Sequence, residues 1–78
     1  MDPVWHPFDV NGVTYFWTAY PSTLQTGGGP EEPVEYLTVA RQPNIPGIGW
    51  PLPAGTVVTE EHARELVRLA HEHGREVP

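Results

Sequence analysis

Val4-Trp5-His6-Pro7-Phe8-Asp9-Val10-Asn11-Gly12-Val13-Thr14-Tyr15-Phe16-Trp17-Thr18-Ala19 is the stretch that decides the fold. Asn and Gly both tolerate the positive φ of a two-residue type I′ turn, and apolar residues flank Asn11-Gly12 on each side. A hairpin centred there pairs Val10 with Val13, Phe8 with Tyr15, His6 with Trp17 and Val4 with Ala19. Seven of those eight residues are apolar or aromatic, and all eight share one face. The other face carries Asp9 with Thr14, Pro7 with Phe16 and Trp5 with Thr18, a half-buried mixture. A one-residue slip would scramble this sorting, so the register is well specified. Pro7 then falls in a non-hydrogen-bonded pair with its missing N–H aimed outward, which makes the first strand a sheet edge.

Working outward, residues 21–33 have turn composition and almost no apolar content, and read as a mobile loop joining the second and third strands. Gly27-Gly28-Gly29 is no phosphate cradle, since no Lys-Ser/Thr follows and no helix starts there. Val34 to Arg41 is rich in β-favouring residues and reads as a third strand, with Val34, Tyr36, Thr38 and Ala40 on one face and Leu37 and Val39 on the other. Residues 42–55 carry prolines at 43, 46, 51 and 53 and glycines at 47, 49 and 55, a composition that bars a helix or a central strand and reads as a Pro-rich loop. Ile45, Ile48, Trp50 and Leu52 make that loop too apolar for an idle linker. Thr56-Val57-Val58 is a candidate short strand.

A helix over about residues 60–73 follows, with Thr59 as N-cap, Glu60 and Glu61 against the positive end of the macrodipole, and Gly74 as the stop. Ala63, Leu66, Val67 and Ala70 form its apolar stripe, bordered by His62, Leu69 and His73. The opposite side, with Glu61, Glu65, Arg68 and Glu72, is a solvated charge ladder. The pairs Glu60/Arg64 and Arg68/Glu72 each help by a few tenths of a kcal/mol, whereas Arg64/Arg68 opposes them. The expected fold is therefore α+β: a small antiparallel sheet of three to four strands with one C-terminal amphipathic helix on one face.

Composition bounds the function. The chain has 78 residues, enough for a single small domain over 1–78, and a net charge of −6 from ten acidic residues against four cations. Those cations are Arg41, Arg64, Arg68 and Arg75, with no Lys, so direct nucleic-acid binding is not expected. Acidic surface favours a basic partner. Using Arg without Lys, amid many Pro, Gly and Ala, points to a GC-rich, bacterial source. With no Cys there is no disulfide framework, thiolate metal site or cysteine nucleophile, and with no long apolar run there is no membrane partner, so the expected setting is cytoplasmic.

Histidine is the remaining metal-ligand type, at positions 6, 62, 71 and 73. His71 and His73 point about 200° apart on a helix, and His62 and His73 sit roughly 16 Å apart along it, so no pair closes on one ion. Ser22 stands alone in a loop, and Glu31-Glu32 and Glu60-Glu61 are adjacent acids whose side chains diverge. No catalytic residue, cofactor or metal is assigned.

The aromatics point elsewhere. One helix covers one sheet face, which leaves residues such as Trp5 and Phe16 on the other. Either the Ile45 to Leu52 loop folds over that face as a lid, or the face meets another chain. The candidate protein-binding residues are Trp50, Ile48, Leu52, Trp5 and Phe16, with Trp50 the leading anchor because Trp and Tyr dominate binding energy. The expected function is a small, acidic, non-catalytic protein-binding module, acting on another protein or as a homodimer that buries the second face or pairs strand edges. The alternatives are an inhibitor, antitoxin or immunity-type protein neutralising a basic enzyme and, from another class, a small-ligand or metal-dependent enzyme.

The run Tyr36 to Arg41, then Pro43-Asn44-Ile45-Pro46-Gly47, then Thr59-Glu60-Glu61-His62-Ala63 opening a helix, resembles the strand, Pro-x-x-Pro-Gly and helix-start pattern of HicB-type antitoxins. The resemblance covers fewer than half of the residues and implies a small sheet-and-helix module that neutralises a protein partner. The stretch from Gly47 to Thr59 is longer than that family uses, and Ile48 stands where a Cys is common. No residue role is carried over.

Overall fold

A computed structural model of the chain describes residues 3–25 and 27–78. Four strands, β1 (His6–Val10), β2 (Val13–Leu24), β3 (Glu32–Ala40) and β4 (Ile48–Pro53), precede one helix, α1 (Glu60–Glu72). The sheet is wholly antiparallel in the order β1-β2-β3-β4, a meander in which each strand pairs with its neighbour in sequence. This is the expected α+β architecture, with four strands rather than three.

The first hairpin has the register read from Asn11-Gly12, from Val10↔Val13 to His6↔Trp17. Asn11 and Gly12 have φ of 51° and 81°, the left-handed values a type I′ turn needs. Pairing stops at His6, however, so Val4 has no strand partner and is exposed. The second hairpin is longer than expected. β2 runs to Leu24 and β3 begins at Glu32, so both ends of the 21–33 segment, read as loop, are strand. The nine β2–β3 pairs are centred on Gly28.

The largest departure is β4. Residues 48–53 are a strand inside the segment read as a Pro-rich loop, whereas residues 56–58 lie outside every strand. Strand parity explains why prolines are tolerated there. A two-residue turn makes Val10↔Val13 a hydrogen-bonded pair, and hydrogen-bonded pairs then alternate along and across the sheet. Carried through the three registers, that alternation puts Pro7, Pro21, Pro33, Pro51 and Pro53 at positions where the absent N–H costs no ladder bond. The prolines that argued against a strand argue only against a central one.

The same parity blunts the edges. Along every unpaired stretch a proline interrupts the outward-facing donors. Two outward carbonyls are also taken: Asp9 O accepts from Arg64 Nη1 at 2.8 Å, and Pro53 O accepts from the Thr56 amide at 3.1 Å. Adding a strand from another chain is disfavoured on both sides.

The core lies between one sheet face and α1. Phe8, Tyr15, Leu37, Val39, Ile48 and Leu52 from the sheet meet Ala63, Val67 and Ala70 from the helix, with Leu66 packed at the margin. The buried helix residues are those of the expected stripe. At the N-terminus His62 takes the place a Glu or Gln fills in a capping box, its Nδ1 accepting from the Thr59 amide at 3.2 Å. At the C-terminus Gly74 has φ 70°, its amide bonds His71 O at 3.0 Å, and the Arg75 amide bonds Ala70 O at 2.8 Å, a Schellman closure. The chain then turns back: Val77 is buried in the core, and the Arg41 amide donates to Pro78 O at 2.7 Å.

Candidate functional site

Strand alternation divides the five candidate binding residues between opposite faces. Ile48, Trp50 and Leu52, spaced by two along β4, point to the helix side. Ile48 and Leu52 are core residues, 8% and 7% exposed, so their assignment to a contact surface is corrected. Trp50 is half-buried against the same core, its ring in an edge-to-face arrangement with His62 at 6.4 Å between ring centres. It plugs the margin between β4 and α1. Phe16, and Trp5 just before β1, lie on the other face, both half-buried.

That outer face has its own structure. From one end to the other its cross-strand rows are Phe16/Ala40, Thr18/Thr38, Tyr20/Tyr36, Ser22/Val34 and Leu24/Glu32. At the Phe16 end it is raised. Trp5 stands on the β1 side and the β3–β4 turn residues Asn44 to Gly47 on the other, forming the walls of an open groove floored by Thr18, Thr38, Tyr20, Tyr36 and Gly49. Those walls leave Thr18 only 3% exposed and Ala40 fully buried. Of the Ile45 to Leu52 segment, residues 45–47 therefore stand at the rim of this face, whereas 48–52 are strand, with Ile48, Trp50 and Leu52 on the helix side and Gly49 on the groove floor. At the Leu24 end no described residue covers the face, and Tyr20 and Leu24 are among the exposed large apolar residues.

Tyr20 and Tyr36 hold the middle. Their rings lie 5.9 Å apart at 39°. The Tyr36 ring leans across Gly49, where its hydroxyl and ring carbons fill the space a Cβ would need. Two buried polar atoms on this face, Trp5 Nε1 and Thr38 Oγ1, have no hydrogen-bond partner. Both line the groove.

Tyr20, Leu24 and their neighbour Val34 are residues that sequence reasoning missed as a surface. Placing Val34 and Tyr36 on one face of the third strand was possible from alternation alone. Aligning them with Tyr20 and Ser22 needed the second-hairpin register, and the centring of that hairpin on the Gly27-Gly28-Gly29 run was the available signal.

Most charged groups sit elsewhere. On α1, Arg64 pairs with Glu60 at 3.0 Å, and Arg68 pairs with both Glu65 and, at 2.7 Å, Glu72. Hydrogen bonding from Arg68 holds the Glu65 carboxyl below the usual carboxylate range. The Glu65 contact is one the i,i+4 reading had not included. Arg64 also stacks over Phe8, its guanidinium carbon 5.7 Å from the ring centre, so it ties the helix to the β1 edge. Among the described residues no three His, Cys, Asp or Glu side chains gather where they could hold a metal ion. His6 packs on Trp17 at 4.6 Å between ring centres, and His62 serves the helix cap. No helix among the described residues is long and apolar enough to cross a membrane.

No protein-family model, curated protein or solved structure matches this chain. The functional reading therefore rests on the geometry above.

Proposed function

We propose that this chain is a small non-catalytic protein-binding module of the cytoplasm whose contact surface is the outer sheet face around Tyr20 and Tyr36. One observation carries the reading. The sheet buries the centre of one face under α1 and leaves on the other a tyrosine pair flanked by Leu24, Val34 and Phe16, with Tyr20 42% and Leu24 37% exposed. An aromatic patch of this kind, with an open groove beside it, is the surface type that anchors protein contacts. The reading differs from the sequence expectation in its residues: Tyr20 and Tyr36 replace Trp50 as anchors, and Trp5 and Phe16 flank them.

A neutraliser of a basic enzyme is less well supported. Such a protein needs carboxylates free on its contact face, yet the middle rows of the outer face carry none. On the helix, Glu60, Glu65 and Glu72 are already matched by Arg64 and Arg68.

Site-specific photo-crosslinking in producing cells tests the proposal. A benzophenone side chain in place of Tyr20 should yield discrete protein adducts, whereas the same group in place of Glu61, on the solvent side of α1, should not. Adducts from position 61 alone, or none from position 20, would overturn it.

A further inference from the structure

Building on that reading, we propose that the outer face is covered by the same face of a second copy of this chain, in a two-fold dimer of stacked sheets. Charge is the first argument. Each copy carries a net charge of −6, so two copies repel unless they meet where formal charge is absent. The outer face provides such a place: from Phe16/Ala40 to Ser22/Val34 its rows are uncharged, and Glu32 and Asp9 stand at opposite ends.

Shape is the second. The face is raised at the Phe16 end by Trp5 and the 44–47 turn and bare at the Leu24 end. The Tyr20/Tyr36 row is the fifth of nine β2–β3 pairs, the midpoint between them. A two-fold axis along that row sets each copy's raised end over the other's bare end. Tyr20 then faces the partner's Tyr20, Thr18 the partner's Ser22, Thr38 the partner's Val34, and Phe16 the partner's Leu24. The three central rows thus meet uncharged rows, and Glu32 falls at the rim over the partner's Ala40; an isologous contact requires a face that can meet itself in this way.

Area is the third. Three strands about 4.8 Å apart and nine residues at about 3.4 Å each give a face of roughly 400–500 Å² per copy. The pair would bury on the order of 1000 Å², at the lower bound for a specific interface. An interface of this size is weak, so the expected association is reversible and concentration-dependent. Proline-interrupted edges leave stacking of faces, rather than extension of the sheet, as the way two copies can join.

Sedimentation equilibrium on the purified chain between about 1 µM and 1 mM reads the proposal directly. The expected mass rises with concentration from 8.7 kDa to twice that value. Tyr20→Glu and Leu24→Glu should each weaken association at least about tenfold, with unchanged circular dichroism, while Glu61→Arg on the helix should not. Because the chain has no Cys, Tyr20→Cys should give one disulfide-linked dimer on mild oxidation, and Glu61→Cys should give none. A wild-type mass fixed at 8.7 kDa up to 1 mM overturns the dimer, as does association that both Glu variants leave intact. In the first case, adducts of other proteins at position 20 would show that the binding-face reading survives without the dimer.

Discussion

The two faces of the sheet are built from the same four strands and solve different problems. On the helix side Leu37, Val39 and Val67 are completely buried, and among the described residues no buried polar side-chain atom on that side lacks a partner. On the outer side aromatic rings stay partly in water, and Trp5 Nε1 and Thr38 Oγ1 are enclosed without partners, a cost that an optimised core avoids. A chain of 78 residues supplies one helix and can finish one core. On the reading proposed above, the other face is apolar because it meets another chain.

The largest effect that could break this comparison is a matched pair of truncations. Leu37→Ala, at the centre of the helix-side core, should cost about 2–5 kcal/mol by urea denaturation, from a total of about 4–12 kcal/mol for a domain of this size. Tyr20→Ala should cost less than about 1 kcal/mol when measured dilute enough to avoid association. If Tyr20→Ala were as damaging as Leu37→Ala, the outer face would belong to the monomer's own core.

Two glycines sharpen the contrast at intermediate size. A Cβ at Gly47 would run into the Val39 carbonyl and the Ala40 side chain, which cannot give way, whereas at Gly49 it would run into the Tyr36 ring, which can. Gly47→Ala should therefore cost about 1–3 kcal/mol in any background. Gly49→Ala should be costly in the wild type and close to neutral beside Tyr36→Ala, a coupling of about 1 kcal/mol in a double-mutant cycle. An equal cost for Gly49→Ala in both backgrounds would mean that the ring is not what fills that space.

How much of this was legible in the sequence depended on how local the signal was. Asn11-Gly12 encodes its hairpin within two residues, and the helix declares its stripe, its N-cap at Thr59 and its stop at Gly74 within five turns; each was readable because the deciding interactions are short-range. β4 was not readable, because Pro51 and Pro53 forbid or permit a strand according to parity inherited from a turn about forty residues upstream. The side on which Trp50 lies was hidden for the same reason. Its flanking Gly49 and Pro51 look like a loop tip, and only the pairing Leu37↔Trp50 turns its side chain under the helix. The interaction of Arg64 with Asp9 and Phe8 joins residues more than fifty positions apart, and no pattern along the chain announces it. The candidate face suffered most, since it exists only where two registers bring Tyr20 beside Tyr36.

The smallest expected effect comes from outside both faces and serves as their reference. Glu65 and Arg68 are exposed on α1, where water and salt screen an ion pair, so Glu65→Gln should shift the melting temperature at neutral pH by only about 1 °C. The sign of its pH dependence follows from the bond to Arg68, which holds the folded-state Glu65 below its ordinary value. Its contribution is complete above the ordinary carboxylate range near about 4.3 and is lost as the pH falls through the lowered folded value. The difference between wild type and Glu65→Gln should therefore be largest at neutral pH and low salt and shrink toward zero in acid. Leu37→Ala should behave otherwise, because burial of an apolar side chain involves no proton and its cost persists across the same range. A Glu65→Gln effect that rivalled Leu37→Ala, or that grew as the pH fell, would mean that the helix charge ladder holds this fold and that the two-face comparison misplaces its stability.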